Sequence, residues 1–358
     1  MGLSKKLNRN TTIADVAKAA GVAPMTVSRT INGYPHIKPA TAMKVREAIE
    51  RLSYSPNPAA RMLMGQRSNS IGLVIPDLKN PFFAVVADGV QAATRARGAL
   101  VWIVASNADP IVERQEIEKL LSYQVDGILI IPSAPGQPYL RKLLAGKTPI
   151  VAIDLPLNSD LADSVVAENR QSSCLAVQHL ISHGYRNILC LGAWPDLFTM
   201  QERIAGYEGA MKSAGLKPWI ATDAQDDMSI KSALRKLLRG RSRPEAIFTL
   251  NQLTTEIALD VFDEMQITIP DQIALIGFDD FPYASLLKPK ITVVRQPAAD
   301  LGQCAARRLF ERLELKEKLP RMKTVLPSEL VIRESCGCRR SNADVDGQGS
   351  TTVEAVES

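Results

Sequence analysis

Lys5, Lys6, Arg9, Lys18, Arg29, Lys38, Lys44, Arg46, Arg51, Arg61 and Arg67 crowd the first 67 residues, where only Asp15, Glu47 and Glu50 oppose them. Eleven cations against three acids give that stretch a net +8, and the formal +5 of the whole chain leaves −3 for the remainder. A basic head on a mildly acidic body is the distribution expected when one small module neutralises phosphates and the rest stays off them. Other chemistry-bearing residues are sparse. His179 and His183 are four apart, but no third ligand is evident, so they read as residues that cap and pack a helix end. Cys336-Gly337-Cys338 has one intervening residue, which is not the common zinc or redox spacing, and it reads as an incidental pair opening a disordered tail. Gly146-Lys147-Thr148 ends like a phosphate loop, yet Arg141 stands where the first glycine is required. No Gly-x-Ser-x-Gly or His-Glu-x-x-His run is present, so no catalytic residue, metal site or cofactor is expected.

The elements that must carry these residues follow from pattern. A chain of 358 residues exceeds what one core usually organises, and 46% hydrophobic with 23% charged residues excludes a disordered, collagen-like or disulfide-stapled protein. Five scattered cysteines fit a reducing compartment. No stretch approaches the roughly 18 apolar residues of a membrane span, and Met1 to Lys6 lacks the apolar run of an export signal, so a cytoplasmic protein without a membrane partner is expected. In the head, Thr12 to Asp15 forms a capping-box-like start, and Ile13, Val16, Ala17 and Ala20 share a helical face that Gly21 ends. Pro24 suits the first turn of a second helix, Met25 to Ile31, which buries Val27 and Ile31. A third amphipathic helix runs from about Pro39 to Leu52 through Met43, Val45, Ala48 and Ile49. Two short helices joined by a tight glycine turn, with a third closing the core, make a helix-turn-helix.

The segment TIADVAKAAGVAPMTVSRTING resembles the DNA-binding start of the lactose/galactose repressor family of bacterial regulators, joining three elements at fixed spacing. The resemblance implies that the helix with Pro24, Met25 and Arg29 enters the major groove of double-stranded operator DNA. Arg29 would address a guanine edge, since a guanidinium donates twice to O6 and N7. Thr26, Ser28, Asn32, His36 and Thr41 would hold phosphates and set register. Ala23 departs from the family's capping serine, a change that costs about 0.5–2 kcal/mol in helix stability. The following YSPNPAARMLMGQRSNSIGLV implies a hinge helix that orders on DNA, with Asn57, Ala60 and Leu63 in place and Leu63 wedging between base pairs. Read without the resemblance, the same segment is an ordinary linker.

Beyond Ile71, apolar runs at Ile71–Ile75, Leu100–Ala105, Gly127–Ile131 and Ile150–Asp154 alternate with amphipathic segments. A second series opens near residue 164, with strands at Asn187–Gly192, Ala246–Leu250 and Ile273–Phe278. Both are the signature of parallel βαβ units. Thr292–Pro297 and the helix Ala298–Leu313 return the chain to the first lobe before a last strand near Val325–Val331. This body resembles the family's periplasmic-binding-protein-like core. That resemblance implies an effector cleft lined by Phe82, Phe83, Asp154, Thr199, Arg203, Asn251 and Asp279, holding a small molecule of the sugar or sugar-derivative class. Taken alone, Phe82-Phe83 also reads as core, Arg203 as a surface charge and Asp279-Asp280 as a solvated turn with only Asp279 turned inward. Gln252, Leu155 and Met228 depart from the family's usual residues.

The fold expected is α plus α/β: a helix-turn-helix head at 1–56, a hinge helix and linker at 57–69, and two doubly wound α/β lobes at 70–334. Lobe one would hold about 70–168 and 296–323, lobe two about 169–295 and 324–334, with a disordered tail at 335–358. The function implied is a ligand-responsive transcription regulator, a repressor binding a near-palindromic operator as a homodimer and not an enzyme. A constitutive DNA-binding regulator with a vestigial cleft, and a periplasmic-type binding protein, are the other readings.

Overall fold

A computed structural model describes residues 11–31, 33–54, 67–133, 138–144, 146, 148–157, 162–224, 226–315 and 320–338. Two compact units divide at Ser68/Asn69. In the head, α1 (Ile13–Ala20), α2 (Pro24–Ile31) and α3 (Pro39–Arg51) enclose Val16, Ala17, Val27, Val45 and Ala48. Thr12 and Asp15 close the capping box, and Gly21 ends α1 at φ 67°, a left-handed turn that favours glycine. Met43, expected on the buried face of α3, is instead 61% exposed, because Val45 and Ala48 already fill that small core.

The body is built from two sheets. In chain order its elements are β1 (Ser70–Ile75), α4 (Pro81–Arg95), β2 (Leu100–Ala105), α5 (Pro110–Ser122), β3 (Gly127–Ile130), α6 (Pro138–Leu144), β4 (Ile150–Ile153) and β5 (Asp163–Ala167). Lobe two follows with α7 (Arg170–Ser182), β6 (Ile188–Leu191), α8 (Phe198–Ser213), β7 (Trp219–Ala221), α9 (Asp227–Arg239), β8 (Ala246–Thr249), α10 (Gln252–Glu264), β9 (Ala274–Phe278) and β10 (Thr292–Arg295). The chain ends its regular structure with α11 (Ala298–Glu314), β11 (Lys323–Leu326) and β12 (Glu329–Val331). Sheet one has the order β11-β5-β4-β3-β1-β2 and sheet two β12-β10-β9-β8-β6-β7, parallel except for β12 against β10. Helices cover both faces, which is why β1, β3, β4, β6, β8 and β9 are unbroken buried apolar runs rather than alternating ones. No helix among the described residues is long and apolar enough to cross a membrane.

Three expectations are corrected. Asp163–Ala167, near the expected start of the second series, pairs in sheet one beside β4. The last strand is two strands: Val325 pairs with Val166 in sheet one, whereas Val331 pairs with Val293 in sheet two. Pro327 lies between them and has no N–H to extend a ladder, so the lobe boundary falls after Leu326 rather than at 323/324. Residues 335–338 are not a disordered tail. Cys336 is fully buried in the core of lobe two, and Ser335 Oγ accepts from Thr292 N at 2.8 Å while donating to Leu275 O at 2.6 Å. Residues 339–358 lie outside the described residues.

Close helix approach sets the geometry of lobe two. A Cβ on Gly206 of α8 would meet the carbonyl oxygen of Arg170 at 2.1 Å, so only glycine lets α8 lie this near the start of α7. That approach carries Arg203, one turn earlier on α8, to Asn169, the residue capping α7.

Candidate functional site

The outer face of α2 presents Pro24, Met25 and Arg29 to solvent, with Thr26 and Ser28 half-buried; His36 is exposed and Thr41 half-buried. Asn32, Asn57, Ala60 and Leu63 lie outside the described residues. Ala23 caps α2 through its backbone alone, its carbonyl accepting from Thr26 N at 2.9 Å and Val27 N at 3.3 Å. At the other end, Gly33 takes φ 69° and the N–H of Tyr34 reaches the carbonyl of Arg29 at 3.0 Å. This turn folds Tyr34 back so that the Arg29 guanidinium sits 5.8 Å from its ring centroid. Tyr34 was not singled out in the sequence, although an aromatic one residue past a helix-ending glycine is the signal for it.

In the body, the two lobes place an aspartate at equivalent points. Asp154 follows β4, the third strand of sheet one counted from β11; Asp279 follows β9, the third of sheet two counted from β12. Each takes a left-handed φ, 65° and 76°, and each donates its N–H at 2.9 Å to the neighbouring strand, Asp154 to Val165 O and Asp279 to Val294 O. Non-glycine residues adopt this conformation at a cost that surrounding structure must hold, and they concentrate at ligand sites. The carboxyl ends of parallel strands near a change of strand order are where α/β sheets bind ligands.

Arg203 supplies the counter-charge. Only 2% exposed, it donates from Nε to Asn169 Oδ1 at 2.7 Å and from a terminal nitrogen to Leu250 O at 2.6 Å, with its Cζ 3.6 Å from the Phe278 ring centroid. Burial pulls the guanidinium below its ordinary range, opposed by the charges of Asp279 and Asp154. Burial also raises the Asp154 carboxyl to about 6, with Arg203 opposing and Asp279 adding to the rise. Asp279 accepts from Gln296 Nε2 at 2.6 Å and Gln252 N at 3.3 Å. Two buried acceptors here, Asp154 Oδ1 and Gln296 Oε1, have no hydrogen-bond partner among the described residues.

Asp279 and Gln296 open onto a cavity of about 550 Å³ that also touches Phe82, Val85, Phe281 and Ala299. Asn80 caps α4 by accepting from Phe82 N at 2.9 Å, with Pro81 at the first helical position, which fixes Phe82 at the cavity wall. Phe83 meets Phe82 edge-on at 5.5 Å but does not line the cavity; both also pack against the core of lobe one. Thr199 is buried in the first turn of α8, and Asn251 caps α10 by accepting from Thr254 N at 2.9 Å. Asp280 also lines the cavity, contrary to the expectation that only Asp279 turns inward, because Arg333 and Arg295 hold it there at 2.9 and 2.6 Å. Gln296 and Asn169 are participants that sequence reasoning missed; an Asn immediately before a helix was the available signal for the second.

Asp154→Asn checks the electrostatic account. A folded-state value raised to about 6 means this carboxyl stabilises the fold fully below its ordinary value of about 4, and that stabilisation is lost as pH rises through about 6. Urea unfolding of the effector-free protein is expected to weaken by about 1–3 kcal/mol between pH 4 and pH 7 from this group, and the asparagine variant to lack that slope. An unchanged slope would mean the carboxyl titrates normally.

His179 and His183 do occupy the end of α7, His183 as its cap, but the expectation that they lack further ligand atoms is corrected. Cys336 and Cys338 lie against both rings, since the chain after β12 folds back onto α7.

Residues 12–57 match the bacterial regulatory proteins, lacI family, and residues 177–336 match the periplasmic binding protein-like domain. The HTH-type transcriptional repressor PurR of Photobacterium profundum is 32% identical over 329 residues, spanning 90% of this chain and 98% of that protein. The chain belongs to the lacI family of bacterial regulatory proteins. The lac repressor dimer bound to operator and the anti-inducer ONPF superposes with a TM-score of 0.82 at 23% identity, over 92% of this chain and 99% of that one, showing the shared fold. The transcriptional regulator CelR–cellobiose complex gives 0.68 at 29% identity, over 91% and 100%. This lacI-family protein is therefore an effector-responsive, DNA-binding transcription repressor, with its DNA-binding module in the head and its ligand-binding domain in the body.

Proposed function

We propose that the protein works in the cytoplasm as a homodimer without catalytic activity, reads a near-palindromic operator, and changes its operator affinity on binding a sugar or sugar derivative in the cavity beside Asp279. The observation that carries the effector class is the unpartnered buried acceptor Gln296 Oε1 on the lining of that cavity, with a second unpartnered acceptor, Asp154 Oδ1, outside the lining. Leaving such oxygens unmet costs about 1–3 kcal/mol each, and a polyhydroxylated ligand offers O–H donors to them. Phe82 supplies an apolar wall for a ring face and Asp279 a polar group on the same cavity, whereas Asp154, Thr199, Arg203, Asn251 and Phe83 do not line it and would act from outside that lining. CelR, a relative by fold and sequence, was solved as a cellobiose complex. Exposed Leu100, Trp102 and Tyr123 at the β2 edge of lobe one, with Trp102 stacked on Tyr123, supply apolar surface for an isologous pairing.

On DNA, Arg29 reads a base edge from α2 while Thr26, Ser28, His36 and Thr41 contact phosphates. Selection of bound duplexes from a random pool, with and without a panel of sugars and sugar acids, tests the whole reading. A near-palindrome should emerge, and a true effector at about a hundred times its Kd should raise apparent stability by about 2.7 kcal/mol. Arg29→Ala is expected to lose about 1–3 kcal/mol of discrimination at one position of each half-site, whereas Thr26→Ala weakens all sites alike. Identical selection profiles for the two variants would refute the division of roles. Silence across the ligand panel would favour a constitutive regulator.

A further inference from the structure

The last described residues of the chain meet α7 in an arrangement that the effector cleft does not use. His179 and His183 stand one helical turn apart with ring centroids 4.7 Å from each other. His179 Nε2 lies 3.3 Å from Cys336 Sγ and 3.4 Å from Cys338 Sγ, and His183 Nε2 lies 3.0 Å from Cys338 Sγ. All four ligand atoms fall within 4.8 Å of one another, and both sulphurs are free of disulfides. Gly337 between the cysteines takes φ 94°, where a Cβ would also press on Tyr185 Oη at 2.7 Å; a glycine is needed for both thiols to face the same two rings.

Bond lengths of about 2.3 Å to sulphur and 2.0–2.1 Å to nitrogen put neighbouring S and N ligands of tetrahedral zinc about 3.6 Å apart. Three of the four sulphur-to-nitrogen separations are within about 0.6 Å of that value and no two of the four atoms are more than 4.8 Å apart, so side-chain shifts of about 1 Å bring all four onto one ion. We propose that His179, His183, Cys336 and Cys338 form a structural Zn²⁺ site. Two thiolates with two imidazoles select against hard cations such as Mg²⁺ and Ca²⁺, and two thiolate charges neutralise a divalent ion in a half-buried setting. Four protein ligands leave no open position for a reacting water, so the ion acts as a staple. What it staples is the end of lobe two. Ser335, beside the first ligand, bonds β10 through Thr292 N and β9 through Leu275, so the ion ties α7 to the segment that closes sheet two.

Metal analysis of the full-length chain, purified without chelators or an affinity tag, tests the site. Close to one zinc per chain is expected, falling at least about tenfold in His183→Ala and in Cys338→Ser. Both substitutions lie toward the surface, so an unchanged circular dichroism spectrum shows that metal loss is not unfolding; Cys174→Ser, altering a thiol outside the cluster, should keep the zinc. Replacement by Co²⁺ should give the visible bands of a tetrahedral ion with sulphur-to-cobalt charge transfer, absent in both ligand variants. A chelator should lower the melting temperature of the wild type but not of His183→Ala. Fully reduced protein carrying almost no zinc and giving no cobalt bands would overturn the site. Ligand variants that retain the metal, or an intact mass lighter by two hydrogens with Cys336 and Cys338 joined, would overturn it as well.

Discussion

Arg203→Ala is expected to destabilise the body by about 3–5 kcal/mol and to abolish effector binding, because it removes a buried cation whose charge offsets two buried aspartates and leaves its own hydrogen-bond acceptors unmet. The side chain is 2% exposed and satisfies Asn169 Oδ1 and the carbonyl of Leu250, so truncation orphans two acceptors besides the two aspartates. Asp154, already raised to about 6 with Arg203 opposing the rise, would lose that counter-charge, and its carboxyl would move further up. Trp102, Trp194 and Trp219, the three tryptophans of the chain, all belong to the body, so urea unfolding followed by intrinsic fluorescence isolates this effect from the head. Arg203→Lys keeps the charge but not the planar fork, and should fall between wild type and alanine. An alanine variant within about 1 kcal/mol of wild type would show that the aspartates are not held by this cation.

Asp163→Asn should be comparably severe without touching the cavity. This carboxylate, 1% exposed at the start of β5, receives Arg308 Nε at 3.1 Å, two nitrogens of Arg312, and the N–H of Met322 at 2.9 Å, with Arg321 at 3.7 Å. It thereby ties α11 and the residue before β11 to β5, the strand next to the edge of sheet one. Neutralising it strands two nearly buried guanidiniums side by side, at a cost of about 3–5 kcal/mol in the same fluorescence assay. The pH dependence has the opposite sign to that of Asp154. Burial raises the Asp163 carboxyl, but the bonds from Arg312 and Met322 and the charges of Arg312 and Arg308 outweigh it and hold it below the ordinary range. Its contribution is therefore present above about pH 4 and is lost as pH falls through the depressed folded value, so acid should erode the wild type more steeply than the variant.

What the sequence disclosed and what it withheld divide by the range of the interactions. Helix ends in the head were readable because a capping box, a glycine turn and prolines at first helical positions act within four residues. Leu100–Ala105 was read to the residue because six consecutive apolar residues form an unbroken run, although as the edge strand it leaves Leu100 and Trp102 exposed. Val325–Val331 was read as one strand because both halves are apolar, and only pairing with Val166 or Val293 reveals that they serve different sheets. The expected cleft residues came from resemblance, and position alone did not separate Phe82 at the cavity from Phe83 behind it. His179 and Cys336 are 157 residues apart, a juxtaposition no local spacing announces.

The order in which strands join each sheet bears on how the molecule is made. Sheet one gains its edge strand β11 only after the chain has traversed lobe two, and sheet two is completed by β12 a few residues later. During synthesis the head can fold as soon as it leaves the ribosome, whereas neither lobe can finish until nearly the whole polypeptide has emerged. For most of translation, then, the nascent chain carries a folded DNA reader ahead of an unfinished sensor.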